Sequence, residues 1–152
     1  MKTLPYPAPD FSLHTDNRVI QLVDFKGQWL VLYFYPKDDT PGCTIEACSL
    51  RDARDEIVKL GAQIVGVSKD EASSHEKFKA KHNLNFTLAT DPDGVAMKAY
   101  GAWGKKMFGR EGVLRKTFII DPNGKVVKEF GRVTPLGHGQ QIVETLKELT
   151  SS

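Results

Sequence analysis

Both cysteines of the chain, Cys43 and Cys48, fall in one short segment, Pro36-Lys37-Asp38-Asp39-Thr40-Pro41-Gly42-Cys43-Thr44-Ile45-Glu46-Ala47-Cys48. It follows Trp29 to Tyr35, a continuous apolar and aromatic run of strand length. It precedes Leu50, Ala53, Ile57 and Leu60, which recur at helical spacing up to Gly61. The pair therefore lies on a strand-to-helix turn. Thr40 has the residue type of an N-cap, and Pro41 suits the first helical position, where its missing N–H has no partner to lose. Cys43 then falls in the first turn, among backbone N–H groups that the helix leaves unsatisfied. Those groups and the positive end of the helix dipole favour an anion, here a thiolate. Gly42 has no side chain, which leaves room for a ligand beside the sulfur. Cysteine more often fills a core than attacks a substrate, but the Thr-Pro-Gly lead-in and the helix start favour a nucleophile here.

The spacing of the two sulfurs adds a constraint. On an unbroken helix, residues five apart are displaced by about 7.5 Å along the axis and lie on nearly opposite faces. Their Cα atoms are roughly 8–9 Å apart, beyond the limit of about 7 Å for a disulfide. A Cys43–Cys48 bond requires the first turn or two to unwind, at a helix end where opening costs least. A bond closing so short a loop also gives little unfolded-state entropy. A transient catalytic disulfide suits this spacing better than a structural staple. Two cysteines with no nearby histidine supply half of a tetrahedral zinc set, so a metal site is not expected.

The segment resembles the active-site signature of the peroxiredoxins: a proline, a threonine or serine four residues on, and the peroxide-attacking cysteine three further. Those positions are Pro36, Thr40 and Cys43. With a second cysteine five residues later, PKDDTPGCTIEAC is similar to the subfamily called bacterioferritin comigratory protein, or PrxQ. The likeness extends from Ala8 to Leu13 (APDFSL) and to Gly112 to Val126 (GVLRKTFIIDPNGKV), and so covers most of the chain. The resemblance implies a thioredoxin-like fold and a thiol peroxidase acting on hydrogen peroxide and alkyl hydroperoxides. It implies Cys43 as the peroxidatic and Cys48 as the resolving cysteine, joined in a redox disulfide that thioredoxin reduces. By the same likeness Thr40 hydrogen-bonds the thiolate or the peroxide, Pro36 shields the pocket from water, and Arg115 lies over the sulfur. No metal, haem or flavin enters this chemistry. Asp38 and Asp39 would oppose an anion if they faced the sulfur; they are expected to face solvent.

Three other readings compete. A dithiol oxidoreductase acting on proteins usually has its cysteines two residues apart, which the four-residue gap here disfavours. A non-catalytic interaction domain leaves the Thr-Pro-Gly-Cys context unexplained. A cysteine hydrolase lacks an identifiable histidine base, although such a partner need only be close in space.

The remaining elements supply the scaffold. Phe11 to His14 and Val19 to Gln21 predict an N-terminal hairpin, followed by the strand at Trp29 to Tyr35 and a helix over Pro41 to Leu60. A strand at Gln63 to Ser68 completes a β-α-β unit and implies a parallel pair. Glu71 to His82 reads as a polar helix, with His75, His82 and the run Lys77 to Lys81 solvated. Phe86 to Ala89 is a short strand and Gly94 to Tyr100 a short helix. Arg115 to Ile120 and Lys125 to Phe130 flank the Asn-Gly turn of Asp121 to Gly124, and Gln140 to Leu149 closes as a helix. His14 and His138 show no partner pattern. Trp103, Met107 and Phe108 lie in a Gly-rich loop, and Gly101 to Lys106 lacks the spacing of a phosphate loop. The order predicts an α/β fold, a mixed central sheet with helices on both faces and an N-terminal hairpin extension.

At 152 residues the chain is expected to form a single domain over residues 1–152. Its 40% hydrophobic and 26% charged residues are ordinary globular values. A net charge of +2 is too small to suggest nucleic acid, and no apolar run approaches the ~20 residues that span a bilayer. The N-terminal MKTLPYPAPDF has no hydrophobic signal core. Closely spaced cysteines then suggest a reducing cytoplasm. An intrachain partner for Cys43 removes one need for a second subunit, so a monomer is expected.

Overall fold

The computed structural model describes residues 3–106 and 109–151; the expectations for Met107 and Phe108 lie outside them. In chain order the strands are β1 (Tyr6–Pro7), β2 (Ser12–His14), β3 (Val19–Gln21), β4 (Trp29–Phe34), β5 (Ala62–Ser68), β6 (Thr87–Thr90), β7 (Trp103–Lys105), β8 (Glu111–Val113), β9 (Lys116–Ile120) and β10 (Lys125–Phe130). The helices are α1 (Pro41–Lys59), α2 (Ala72–His82), α3 (Val95–Ala99) and α4 (His138–Thr150). Eight strands form one sheet in the order β1-β10-β9-β4-β5-β6-β2-β3, and β7 and β8 form a separate ribbon.

The centre of the sheet follows from alternation. Leu30, Leu32 and Phe34 of β4 face one cluster with Val65, Val67, Phe118 and Ile120, closed by Ala96 and Met97 of α3. Val31, Tyr33 and Tyr35 face the other, with residues of α1, α2 and α4. A strand buried on both faces must be apolar at every position, which explains the unbroken run Trp29 to Tyr35. β4 and β5 pair in parallel and β4 and β9 antiparallel, so the sheet is mixed with helices on both faces.

The predicted hairpin is β2 against β3, attached through His14 opposite Thr90 to the β6 edge. Two features were not foreseen. Tyr6 and Pro7 form β1 on the far edge against β10, although two residues carry no periodicity to read. Trp103 is not in a loop: β7 pairs with β8, Trp103 opposite Val113. Turn-forming glycines had obscured that ribbon. α4 begins at His138, two residues before the predicted start, because Gly137 takes a left-handed φ of 79° as the residue before it.

Candidate active site

α1 starts where β4 ends, and the antiparallel register explains which distant residue meets it. Lys116 of β9 lies opposite Phe34, the last residue of β4. Arg115 is one step further, at the sheet end where α1 begins. Its guanidinium Nη2 lies 3.3 Å from Cys43 Sγ. Nη1 donates to Glu46 Oε1 at 2.6 Å. The planar fork of arginine spans both groups at once. Gly42 leaves the space for it: a Cβ there would come within 3.1 Å of Nη2 and 3.8 Å of Pro135. The room expected beside the sulfur is occupied by the guanidinium.

Cys43 is 2% exposed, and Cys48 is half-buried. Both are free thiols on one continuous helix, the arrangement in which they cannot bond. Thr40 is the N-cap by backbone: its extended residue precedes Pro41, and its carbonyl accepts from the Thr44 N–H at 2.8 Å. Its hydroxyl does not cap, contrary to the usual role of that residue type. It donates to the Lys37 carbonyl at 3.0 Å, which leaves its oxygen lone pairs available. Pro36 is half-buried and follows β4 after Tyr35.

Glu46 was missed in the sequence. It is fully buried, and its Oε2 has no hydrogen-bond partner among the described residues. Cys43, Glu46, Ala47 and Leu50 form an i, i+3, i+4, i+7 stripe of buried positions. An acid on such a stripe needs a buried cation, and that is the signal that could have found it. Burial pushes its carboxyl up to about 7, against the downward pull of Arg115. Arg115 in turn loses by burial but is held above its ordinary value by Glu46 and Cys43.

The raised carboxyl has a measurable consequence. Between its ordinary 4.5 and about 7, the folded protein holds a proton that the unfolded chain has released. Stability falls as pH rises through that window. His138 acts in the opposite sense, because burial pushes it below its ordinary 6.5. Comparing urea unfolding of Glu46→Gln and the parent from pH 4.5 to about 7 separates the two. The parent is expected to lose stability relative to the variant as pH rises; a flat difference would show that Glu46 holds no extra proton.

The loop before the site departs from expectation. Asp38 does not face solvent; it is 7% exposed. It accepts from Tyr35 Oη at 2.5 Å and Ser74 Oγ at 2.7 Å, and it pairs with His75 Nδ1 at 2.8 Å. Burial alone would push its carboxyl up, but the bonds from His75, Tyr35 and Ser74 hold it below the ordinary range. Its charge is therefore committed to α2, not aimed at the sulfur. His75 is likewise buried and not solvated, and its Nε2 has no partner among the described residues. Asp39 is exposed as expected, held by Lys81 at 2.7 Å and His82 at 3.1 Å. His82 is half-buried, and Phe78 drops out of the wet Lys77 to Lys81 face into the core. These contacts tie the loop to α2 at two successive residues. Buried His138 bonds Thr117 Oγ1 through Nε2 at 2.8 Å and Gln141 through Nδ1 at 2.9 Å.

Among the described residues there is no group of three or more His, Cys, Asp or Glu side chains placed to hold a metal. No helix among them is long and apolar enough to cross a membrane.

This geometry has close relatives. The AhpC/TSA family matches residues 5–129. Peroxiredoxin Bcp of Bacillus subtilis (strain 168) is 45% identical over 147 residues, 94% of each chain. Peroxiredoxin Bcp of Escherichia coli (strain K12) is 41% identical over 145 residues, 93% of each chain. Peroxiredoxin Q of Xanthomonas campestris superposes with a TM-score of 0.88 at 36% identity, over 93% of this chain and 92% of that one. A cysteine-to-serine mutant of PrxQ from Xylella fastidiosa gives 0.90 at 30% identity, over 99% and 100%. The chain belongs to the AhpC/TSA family. Its thioredoxin-like fold is that of a peroxiredoxin of the Bcp and PrxQ kind, a thiol-dependent peroxidase.

Proposed function

We propose that the chain reduces hydrogen peroxide and alkyl hydroperoxides with Cys43 as the attacking and Cys48 as the resolving cysteine. The observation that carries this reading is the Arg115 guanidinium, bonded at once to Cys43 Sγ and to buried Glu46. Alkyl peroxide reduction by the bacterioferritin comigratory protein of Xanthomonas campestris supports the substrate class.

The ionised Cys43 sulfur attacks the nearer peroxide oxygen, and the O–O bond breaks. The sulfur becomes a sulfenic acid, and the leaving oxygen departs as water or alcohol after taking up a proton. Arg115 stabilises negative charge first on sulfur and then on the departing oxygen. The Thr40 hydroxyl, its proton spent on Lys37, accepts the peroxide O–H and orients it. Pro36 limits water at the sulfur. Cys48 then displaces hydroxide from the sulfenic acid, forming the disulfide, and an external dithiol, most simply thioredoxin, reduces it by exchange. The working unit is a monomer in the cytoplasm, where such a dithiol is available; sedimentation of reduced and oxidised protein should give one-chain mass.

NADPH oxidation in a thioredoxin–thioredoxin reductase mixture tests the whole cycle on adding peroxide. Absence of turnover with several peroxides and reductants would remove the proposal. Cys48→Ser separates the two thiols: it is expected to consume one equivalent of peroxide and then fail to recycle through thioredoxin. Sustained turnover in that variant would show that Cys48 does not resolve.

A further inference from the structure

α1 contains a second helix start within it. Ser49-Leu50-Arg51-Asp52 directly follows Cys48 and has the serine-x-x-acid spacing of a capping box. In such a box the serine side chain accepts the N–H of the fourth residue, and the acid reaches back to the serine N–H. Beginning at the ninth residue of the helix Pro41–Lys59, the pattern has no helix end to cap. Asp52 packs into neither core cluster; its exposed side chain pairs with the adjacent Arg51 at 3.0 Å.

Ser49 is also a point where α1 is tied to α4. Gly139, in the first turn of α4, donates its N–H to Ser49 Oγ at 2.8 Å. The two backbones are so close that a Cβ on Gly139 would strike the Ser49 carbonyl oxygen. Beyond this contact, Leu50, Ala53 and Ile57 pack with Ile142, Val143 and Leu146 of α4. Before it the helix is held on one face only: Cys43, Glu46 and Ala47 are buried, whereas Pro41 and Ile45 are exposed, and Glu46 keeps a carboxyl oxygen without a partner among the described residues. Unwinding returns that carboxyl to water and recovers part of its solvation.

We propose that Ser49 and Asp52 are positioning residues for resolution, forming the new N-terminus of α1 when residues 41–48 unwind to join the two sulfurs. This rests on the proposed Cys43–Cys48 disulfide. A serine oxygen has two acceptor sites, so Ser49 can keep the Gly139 N–H and take the Asp52 N–H. Cys48 then stands just ahead of a fresh helix start, whose free N–H groups favour negative charge on the attacking sulfur. The step balances within the chain: the S–S bond forms, the S–O bond of the sulfenic acid breaks, and hydroxide leaves with the Cys48 proton as water. Cys48 is oxidised and Cys43 reduced.

The test uses the full chain, one equivalent of hydrogen peroxide, and rapid quenching with thiol alkylation, so that mass spectrometry separates sulfenic acid from disulfide. Asp52→Ala is expected to slow disulfide formation about fivefold, the scale of a lost cap, with peroxide consumption by Cys43 at the parent rate. Asp52→Glu can close the same box and should restore the parent rate. In the oxidised parent, the Asp52 amide should stay protected from hydrogen exchange while amides 43–48 open. Disulfide formation at the parent rate in Asp52→Ala, or an Asp52→Glu variant equally slow, overturns the cap alone. If the parent forms no Cys43–Cys48 bond, the resolving role falls first and the cap with it.

Discussion

Cys43→Ser is expected to lose all peroxide consumption above the uncatalysed rate while remaining folded. A serine hydroxyl is smaller and is not ionised near neutral pH, so the group that must donate an electron pair to the O–O bond is gone. The packing change is slight, since Cys43 is a small side chain in a stripe shared with Ala47 and Leu50. The new hydroxyl also meets a donor, because Arg115 Nη2 lies 3.3 Å from the sulfur it replaces. A buried hydroxyl with a partner costs far less than the roughly 1–3 kcal/mol of an unsatisfied one. Circular dichroism and the urea midpoint should therefore stay near the parent values, and peroxide remaining in a thioredoxin-coupled assay should not fall. Turnover in Cys43→Ser would transfer the attack to Cys48 or elsewhere. The contrast with Cys48→Ser, which should react once, is what distinguishes attack from resolution.

The backbone of this site was readable because its signals are local. A β4 run apolar at every position, Pro41 at the first helical position and the stripe through Leu50, Ala53 and Ile57 each depend on neighbours in sequence. They place Cys43 in the first turn without knowledge of the rest of the fold. What the chain did not disclose locally was burial of charge. Asp38 and His75 look like a loop acid and a surface histidine, yet each is buried because the other is, 37 residues away in sequence. Glu46 is the same case, paired with Arg115 across 69 residues. Its place on an apolar stripe was a clue, but the cation that makes it tolerable comes from a strand whose register no local pattern fixes. The Arg115–Cys43 contact was expected from the family resemblance alone. In the structure it has a simple cause: Lys116 pairs with Phe34, and the next residue along must hang over the start of α1.

That placement makes Arg115→Met the second large effect. Removing a preorganised donor from developing charge typically costs about 10²–10³ in rate, and the second-order attack on peroxide is expected to fall by that order. The difficulty is that Arg115 also neutralises Glu46, and breaking a buried pair can cost as much as about 3–5 kcal/mol. That figure is an upper bound here, since the Arg115 side chain is 20% exposed. Glu46 also has an escape: Arg115 is what draws its carboxyl downward, so without it burial pushes the group above about 7 and it takes up a proton. The double variant Arg115→Met/Glu46→Gln then separates the roles, because a neutral amide replaces the unpaired carboxyl. Its urea midpoint should recover most of what Arg115→Met loses, whereas the attack rate, measured by competition for peroxide, should stay as low as in the single variant. Recovery of both together would mean that the guanidinium serves the fold by covering Glu46 and does nothing for the sulfur. Recovery of neither would mean that the pair contributes little to stability. Arg115→Lys adds a third point: a single ammonium cannot hold the fixed bridge between carboxylate and sulfur, so its rate should fall well below the parent even though the positive charge is kept.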